Sequence, residues 1–216
     1  METFPLIAEL RAAPLPQPLQ KIAVHLYLNF YFNDEVERWE LWESLNAFDK
    51  IKSNPHVKSK LAIGHIYKNL KSPLDGVGGG NSYGVKKWTG DDAQKIYQAT
   101  CDLSTNYLYK DFYRAWPGPN SNTFIATIFK KSGLEISLPA TAIGKDFTGV
   151  YPKFKIQKNQ INISVLTTGI KVIKNSYWEL HFAGLTIGYE KKPREWKLPY
   201  GKGLFPYTFQ DEVVAR

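Results

Sequence analysis

The chain has 216 residues, 43% hydrophobic and 14% aromatic, which is enough for one domain with a sizeable core and excludes global disorder. Its formal net charge of +8 is spread without a block of like charges, so with no nucleic-acid-binding motif beside it, specific nucleic-acid binding is not expected. Cys101 is the only cysteine, which excludes an intramolecular disulfide and a thiolate metal cluster. No stretch reaches the length of a membrane span, and the first residues lack the basic start and apolar run of a signal peptide, so a cytoplasmic protein is expected.

Residues 1–20 read as a proline-interrupted, extended lead-in on the surface. From Ile22 to Phe32 the residues alternate, with Val24, Leu26, Leu28 and Phe30 on one face and His25, Tyr27, Asn29 and Tyr31 on the other, which is the pattern of a strand. Asn33 and Asp34 turn the chain into a second strand, Glu37 to Glu43, with Trp39 and Leu41 opposite Arg38, Glu40 and Trp42. The pair forms a hairpin.

Residues 44–88 are expected to be a loop inserted into the core. The loop holds a polar, lysine-rich segment (44–60) and an apolar strand from Leu61 to Leu70 bearing His65 and Lys68. A glycine-dense run from Gly76 to Gly84, including Asn81, follows as a surface loop or lid. That run lacks the Gly-Lys-Ser/Thr ending of a phosphate-binding loop. Thr89 caps a helix running to about Leu103, with Asp91 and Asp92 in its first turn and Ile96, Tyr97, Thr100 and Leu103 facing inward, which makes Cys101 a half-buried small side chain.

Tyr107 to Trp116 lead, extended, into the stretch WPGPNSNTF (116–124). Its prolines and glycine force a turn, and Phe124, Ile125, Ile128 and Phe129 then recur at helical spacing until Gly133. Asn120, Ser121 and Asn122 therefore sit at a helix N-terminus, where unpaired N–H groups can cap, bind an anion or stabilise an oxyanion. After an irregular stretch (138–147), short β-branched and aromatic segments at 160–166, 169–173, 177–182 and 185–190 predict an antiparallel meander. Pro193, Pro199 and Pro206 are expected to end regular structure. The fold class is α+β, an antiparallel sheet packed against a central helix. Residues 21–150 form its core and 151–216 a C-terminal β extension of the same domain.

Nucleophilic catalysis needs a nucleophile, a base within reach, a group that orients the base, and oxyanion donors. Ser121 is the candidate nucleophile and His25, on the less apolar face of its strand, the candidate base. Glu40, Glu43 or His65 would orient that base, and N–H groups near Asn122 would supply the oxyanion hole. Asn120, Asn122, Lys68 and Asn81 are candidate ligand contacts. His56 reads as solvated and His181 as a core histidine. No metal-ligand spacing is present, and neither a metal nor a cofactor is expected. A small-molecule or peptide substrate would fit such a site.

The stretches 116–124, LPATAIGKDF (138–147), ELHFAGLTIG (179–188) and KLPYGKG (197–203), with the strand bearing His25, resemble the bacterial domain of unknown function 3750 family over nearly the whole chain. More distantly, the chain is similar to circularly permuted papain-like folds of the NlpC, PPPDE and lecithin retinol acyltransferase-like type. In those folds a first-strand histidine precedes a helix-start motif Asn-Cys-x-x-Phe, which Asn120-Ser121-Asn122-Thr123-Phe124 matches with serine in place of cysteine. The resemblance implies a papain-like core with His25 as base and Ser121 at the nucleophile position. The chain would then be an amide or ester hydrolase or an acyltransferase. Serine in place of cysteine equally suits a catalytically silent domain binding an anionic or peptide ligand at the 120–122 turn.

Overall fold

The computed structural model describes residues 6–33, 35–47, 61–149, 152–165, 168–199 and 201–202. Its first unit is a six-stranded antiparallel sheet of β1 (Ile7–Pro14), β2 (Val24–Phe32), β3 (Glu35–Leu41), β4 (Leu61–Ile63), β5 (Ile66–Lys68) and β6 (Tyr83–Thr89), in the order β4-β5-β3-β2-β1-β6. Two helices pack on one face, α1 (Gly90–Asn106) and α2 (Ser121–Ser132). The second unit is a seven-stranded meander of β7 (Lys153–Gln157), β8 (Gln160–Val165), β9 (Thr168–Ile173), β10 (Tyr177–Phe182), β11 (Leu185–Lys191), β12 (Arg194–Leu198) and β13 (Gly201–Lys202), each strand beside its sequence neighbour.

The α+β class and the hairpin of β2 and β3 match the alternation read from the sequence, with register Leu28 to Trp39 and Phe32 to Glu35. Several expectations are corrected. Residues 7–14 are no surface lead-in: β1 is hydrogen-bonded between β2 and β6, with Ala8, Leu10 and Ala12 fully buried. Alanines and a single leucine carried too little apolar signal for a strand, but small side chains are what a position beneath two helices admits. The supposed inserted loop supplies β4, β5 and β6 to the sheet. The apolar run from Leu61 to Leu70 is split at Gly64 and His65 into a short hairpin. Residues 107–116 form turns rather than an extended segment, and Pro193 lies in the turn joining β11 to β12 instead of ending the sheet. Residues 48–60, with His56, lie outside the described residues.

Alternation gives the first sheet two different faces. Ala8, Leu10, Leu26, Leu28, Phe30, Trp39, Leu41 and Ile66 pack against Ile96 and Leu103 of α1 and Phe124, Ile125 and Ile128 of α2. The opposite face carries Glu9, His25, Asn29, Arg38 and Glu40, also buried, and residues 72–82, the first part of the glycine-dense run among them, cover it. Tyr27 and Asn29 donate to the Pro73 carbonyl at 3.0 and 2.9 Å, and Arg38 donates to the Ser72 and Asp75 carbonyls at 2.8 Å each. Arg11 donates to the Ser82 carbonyl at 3.1 Å and Gln20 to that of Gly79. Gly79 is glycine because a Cβ there would fall on the carbonyl oxygens of Pro14 and Leu15.

A buried ion network docks the meander. Glu179 pairs with Lys145 at 3.2 Å and Lys197 at 2.5 Å, Asp146 pairs with His181 at 2.7 Å, and Lys197 donates to the Leu138 carbonyl at 2.9 Å. Burial would raise the Glu179 carboxyl, but Lys145 and Lys197 outweigh it and hold it below the ordinary range. Trp116 donates to the Ala183 carbonyl at 2.8 Å, seating the β10–β11 tip on the 116–119 turn.

Gly144 and Gly133 both have positive φ, +88° and +76°, but a Cβ at Gly144 would meet the Asn120 side chain, whereas the space at Gly133 is open. Gly133→Ala should cost only the left-handed conformation, about 1 kcal/mol. Gly144→Ala should cost roughly 3 kcal/mol by adding steric displacement of a buried cap. Urea unfolding of the two variants measures the difference.

Candidate functional site

β3 pairs with β2 only between Leu28 and Phe32. The N-terminal half of β2 therefore turns an unpaired edge away from β1, and buried backbone groups need partners. The start of α2 supplies them. Asn122 Oδ1 accepts from the Leu26 N–H at 2.9 Å and Nδ2 donates to the Val24 carbonyl at 2.9 Å, while the Val24 N–H donates to the Thr141 carbonyl at 3.0 Å. One amide thus grips β2 on both sides of His25 and fixes the first turn of α2, with Ser121, against that segment.

Asn120 is the N-cap. Its Oδ1 accepts from the N–H groups of Asn122 and Thr123 at 3.0 and 3.1 Å, Thr123 closes the capping box on the Asn120 N–H, and Nδ2 donates to the Ala115 and Ile143 carbonyls. Two expectations change. The N–H groups of Asn122 and Thr123 are taken by the cap, which leaves Ser121 as the first-turn N–H without a hydrogen bond to a described residue. Asn120 and Asn122 spend their side chains inside the fold, Asn122 also donating to the Ile143 carbonyl at 2.8 Å, and so present nothing to a ligand.

On the opposite side of β2, His25 Nε2 lies 2.8 Å from Glu40 Oε2, and the same oxygen accepts from Arg38 at 2.9 Å. The Arg38 guanidinium stacks 3.7 Å over the Tyr27 ring. All three charged or titratable side chains are at most 5% exposed. Burial would raise the Glu40 carboxyl, but the Arg38 charge and the His25 hydrogen bond hold it well below the usual range. Burial lowers His25 by more than Glu40 raises it. A neutral ring beside an ionised carboxylate donates from Nε2, which leaves the Nδ1 lone pair as acceptor. Nδ1 makes no hydrogen bond to a described residue, and the half-buried Trp42 indole packs edge-on at 5.0 Å.

Ser121 Oγ also lacks a hydrogen bond to a described residue, so none joins it to His25, and both residues are 4% exposed. The remaining candidates lie elsewhere. His65 Nδ1 is 2.8 Å from the Trp42 carbonyl oxygen and its ring tilts toward Tyr113, without contact to His25. Lys68, paired with Glu37, lies on the helix-covered face, because its neighbour Tyr67 is the residue opposite Glu40. Asn81 is exposed in the glycine-dense segment, and Glu43 is exposed too. Arg38 was missed as a participant. Its signal was present in the alternation, which put it two residues from Glu40 on one strand face. Burial pushes the Cys101 thiol up, which suits a packing role.

Among the described residues, one cluster has metal-donor chemistry: Asp146, Glu179 and His181 place ligand atoms within 4.8 Å of one another. Lys145 and Lys197 occupy the same carboxylates and balance their charge, so an ion would have to displace two buried ammonium groups.

Asn122→Ala leaves the buried Leu26 N–H and Val24 carbonyl unpaired and should cost roughly 3 kcal/mol in urea unfolding. The lowered His25 pKa means that folding favours the neutral ring. That contribution is complete above the unfolded value near 6.5 and is lost as the pH falls below it toward the folded value. Stability should therefore decline from pH 7 to pH 5, and His25→Gln should flatten that segment. An unchanged slope in the variant would assign the proton uptake to other groups.

Comparison with curated proteins and with solved structures finds no match. A family model described as a protein of unknown function, DUF3750, matches residues 6–147. The match takes in the six-stranded sheet, both helices and the 138–147 segment. The motifs at 179–188 and 197–203 lie beyond it, so the likeness is shorter than the sequence suggested. Because the match spans well over half of the chain, Ser121, His25 and Glu40 included, the chain belongs to the DUF3750 family.

Proposed function

We propose that the six-stranded sheet and α2 form a permuted papain-like core in which Ser121, His25 and Glu40 carry out acyl transfer. The protein would act on an amide or ester of a small molecule or peptide, as a hydrolase or acyltransferase. The observation that carries this reading is the His25 Nε2–Glu40 Oε2 contact of 2.8 Å on the strand segment that Asn122 grips at Val24 and Leu26, next to a serine whose hydroxyl and N–H are both uncommitted to described residues. Glu40 fixes the tautomer, and Nδ1 takes the Ser121 proton as Oγ attacks the substrate carbonyl. The Ser121 N–H then donates to the oxyanion, and the imidazolium returns the proton to the leaving group. Serine requires a true general base rather than a thiolate ion pair, which suits a ring held neutral by burial. Among the described residues, buried side-chain atoms without a partner include Asn29 Oδ1, Arg38 Nε and Glu40 Oε1 on this face, with Tyr107 Oη elsewhere, and such groups call for an explanation in function or in ordered water. Substrate has to draw Ser121 Oγ and Nδ1 together, a tightening common in unliganded sites.

The alternative is a catalytically silent domain that binds an anionic or peptide ligand at the same turn. With both asparagine side chains spent, such a ligand would have only Ser121 as donor there.

A fluorophosphonate probe and p-nitrophenyl ester turnover test the reading. Ser121→Ala should abolish labelling and turnover while changing stability by less than about 0.5 kcal/mol, because its hydroxyl has no hydrogen bond to a described residue to lose. Ser121→Cys should react with iodoacetamide faster than Cys101. Probe labelling that survives Ser121→Ala, or a cysteine at 121 no faster than Cys101, would remove the site. Unlabelled wild-type protein with slow alkylation would favour the silent domain.

A further inference from the structure

Among the described residues, nothing covers one face of the meander. Tyr177, Glu179, His181, Thr186 and Lys197 point inward and are buried. Their neighbours point away from the first unit and are apolar and open: Phe154 and Ile156 at 71%, Leu180 at 48%, Phe182 at 72%, Ile187 at 46% and Trp196 at 55% exposure. The register aligns them in rows across the sheet, as Phe154 faces Ile163, Ile163 faces Ile170, Ile170 faces Leu180 and Leu180 faces Ile187. An antiparallel sheet facing water alternates apolar-in and polar-out, and here the outward side carries the apolar set.

We propose that this face packs against the same face of a second copy of the chain, forming a two-fold sheet sandwich. Seven strands about 4.8 Å apart and about 18 Å long present roughly 600 Å². That is as large as the greatest apolar patch of an ordinary monomer, and two such faces bury about 1,200 Å², where specific association begins. An apolar sheet face is completed by a second sheet about 10 Å away, and this one brings no charge from the middle of the face to desolvate. The cations sit at one end, in the β7–β8, β9–β10 and β11–β12 turns with Lys158, Lys174, Lys191, Lys192 and Arg194. A two-fold axis running across the strands sends these ends to opposite sides of the sandwich, so like charges do not meet. Cations ringing the face would instead have suited an anionic bilayer.

Sedimentation velocity of the full chain from about 1 to 100 μM tests this. The expected species has twice the 24.7 kDa chain mass. Phe154→Gln with Phe182→Gln, both at exposed positions, should raise the dimer dissociation constant at least tenfold with unchanged far-ultraviolet circular dichroism. If that pair fails to fold, Trp196→Gln should weaken the dimer in the same direction. A monomer at every concentration overturns the proposal. Co-sedimentation of that monomer with phosphatidylserine vesicles would identify a lipid surface as the cover. A monomer that dimerises once residues 203–216 are deleted would identify that segment. A dimer indifferent to all three substitutions places the interface elsewhere.

Discussion

Much of this structure depends on the hydrogen-bonding edge that β2 exposes where β3 leaves it. Buried backbone groups at Val24 and Leu26 cannot be left without partners, and the sheet has no further strand to offer them. Asn122 and Thr141 make the missing bonds. A side-chain amide works here because it presents a donor and an acceptor side by side, as a neighbouring strand would. The start of α2, the 138–147 segment and β2 are therefore held as one assembly, and Gly144 is confined to glycine by the Asn120 cap it touches. The turn conspicuous in the sequence is first a structural clamp. Any chemistry at Ser121 uses what the clamp leaves over.

The second face of the same sheet meets a different constraint, because it buries charge. An isolated carboxylate or guanidinium there would be prohibitive, and the arrangement is tolerable because Arg38 is shared among Glu40, two backbone carbonyls and the Tyr27 ring. Ser72 and Asp75, just before the glycine-dense run, supply those carbonyls. The run itself lies against the end of β1, where Gly79 meets the Pro14 and Leu15 carbonyls, so a glycine that reads as freedom serves close approach. The shared oxygen of Glu40 passes the arrangement on to His25 and sets which ring nitrogen is free.

The meander is tied to this unit by buried ions and by a tryptophan on a hairpin tip, while its other face is apolar and open. A sheet docked through charge on one side and left hydrophobic on the other is half of a two-layer arrangement. The family match ends at residue 147, where this sheet has yet to begin. The core with its candidate site and the apolar sheet are thus separable in sequence, although ionic contacts join them in the fold.

Periodicity within single segments determined a good deal. The alternation from Val24 to Phe32 sorted His25 from the core-facing residues, the turn chemistry before Phe124 located the start of α2, and the spacing of β-branched residues announced the meander. These signals are local, because side-chain direction follows from backbone geometry within a few residues. Tertiary structure alone decided the rest. It made an alanine-rich lead-in a central strand, assigned a loop to cover a charged face, and spent Asn120 and Asn122 on the fold rather than on a ligand. Each of those outcomes depends on which distant backbone groups lack partners after the strands have paired, and no property of a single segment contains that information.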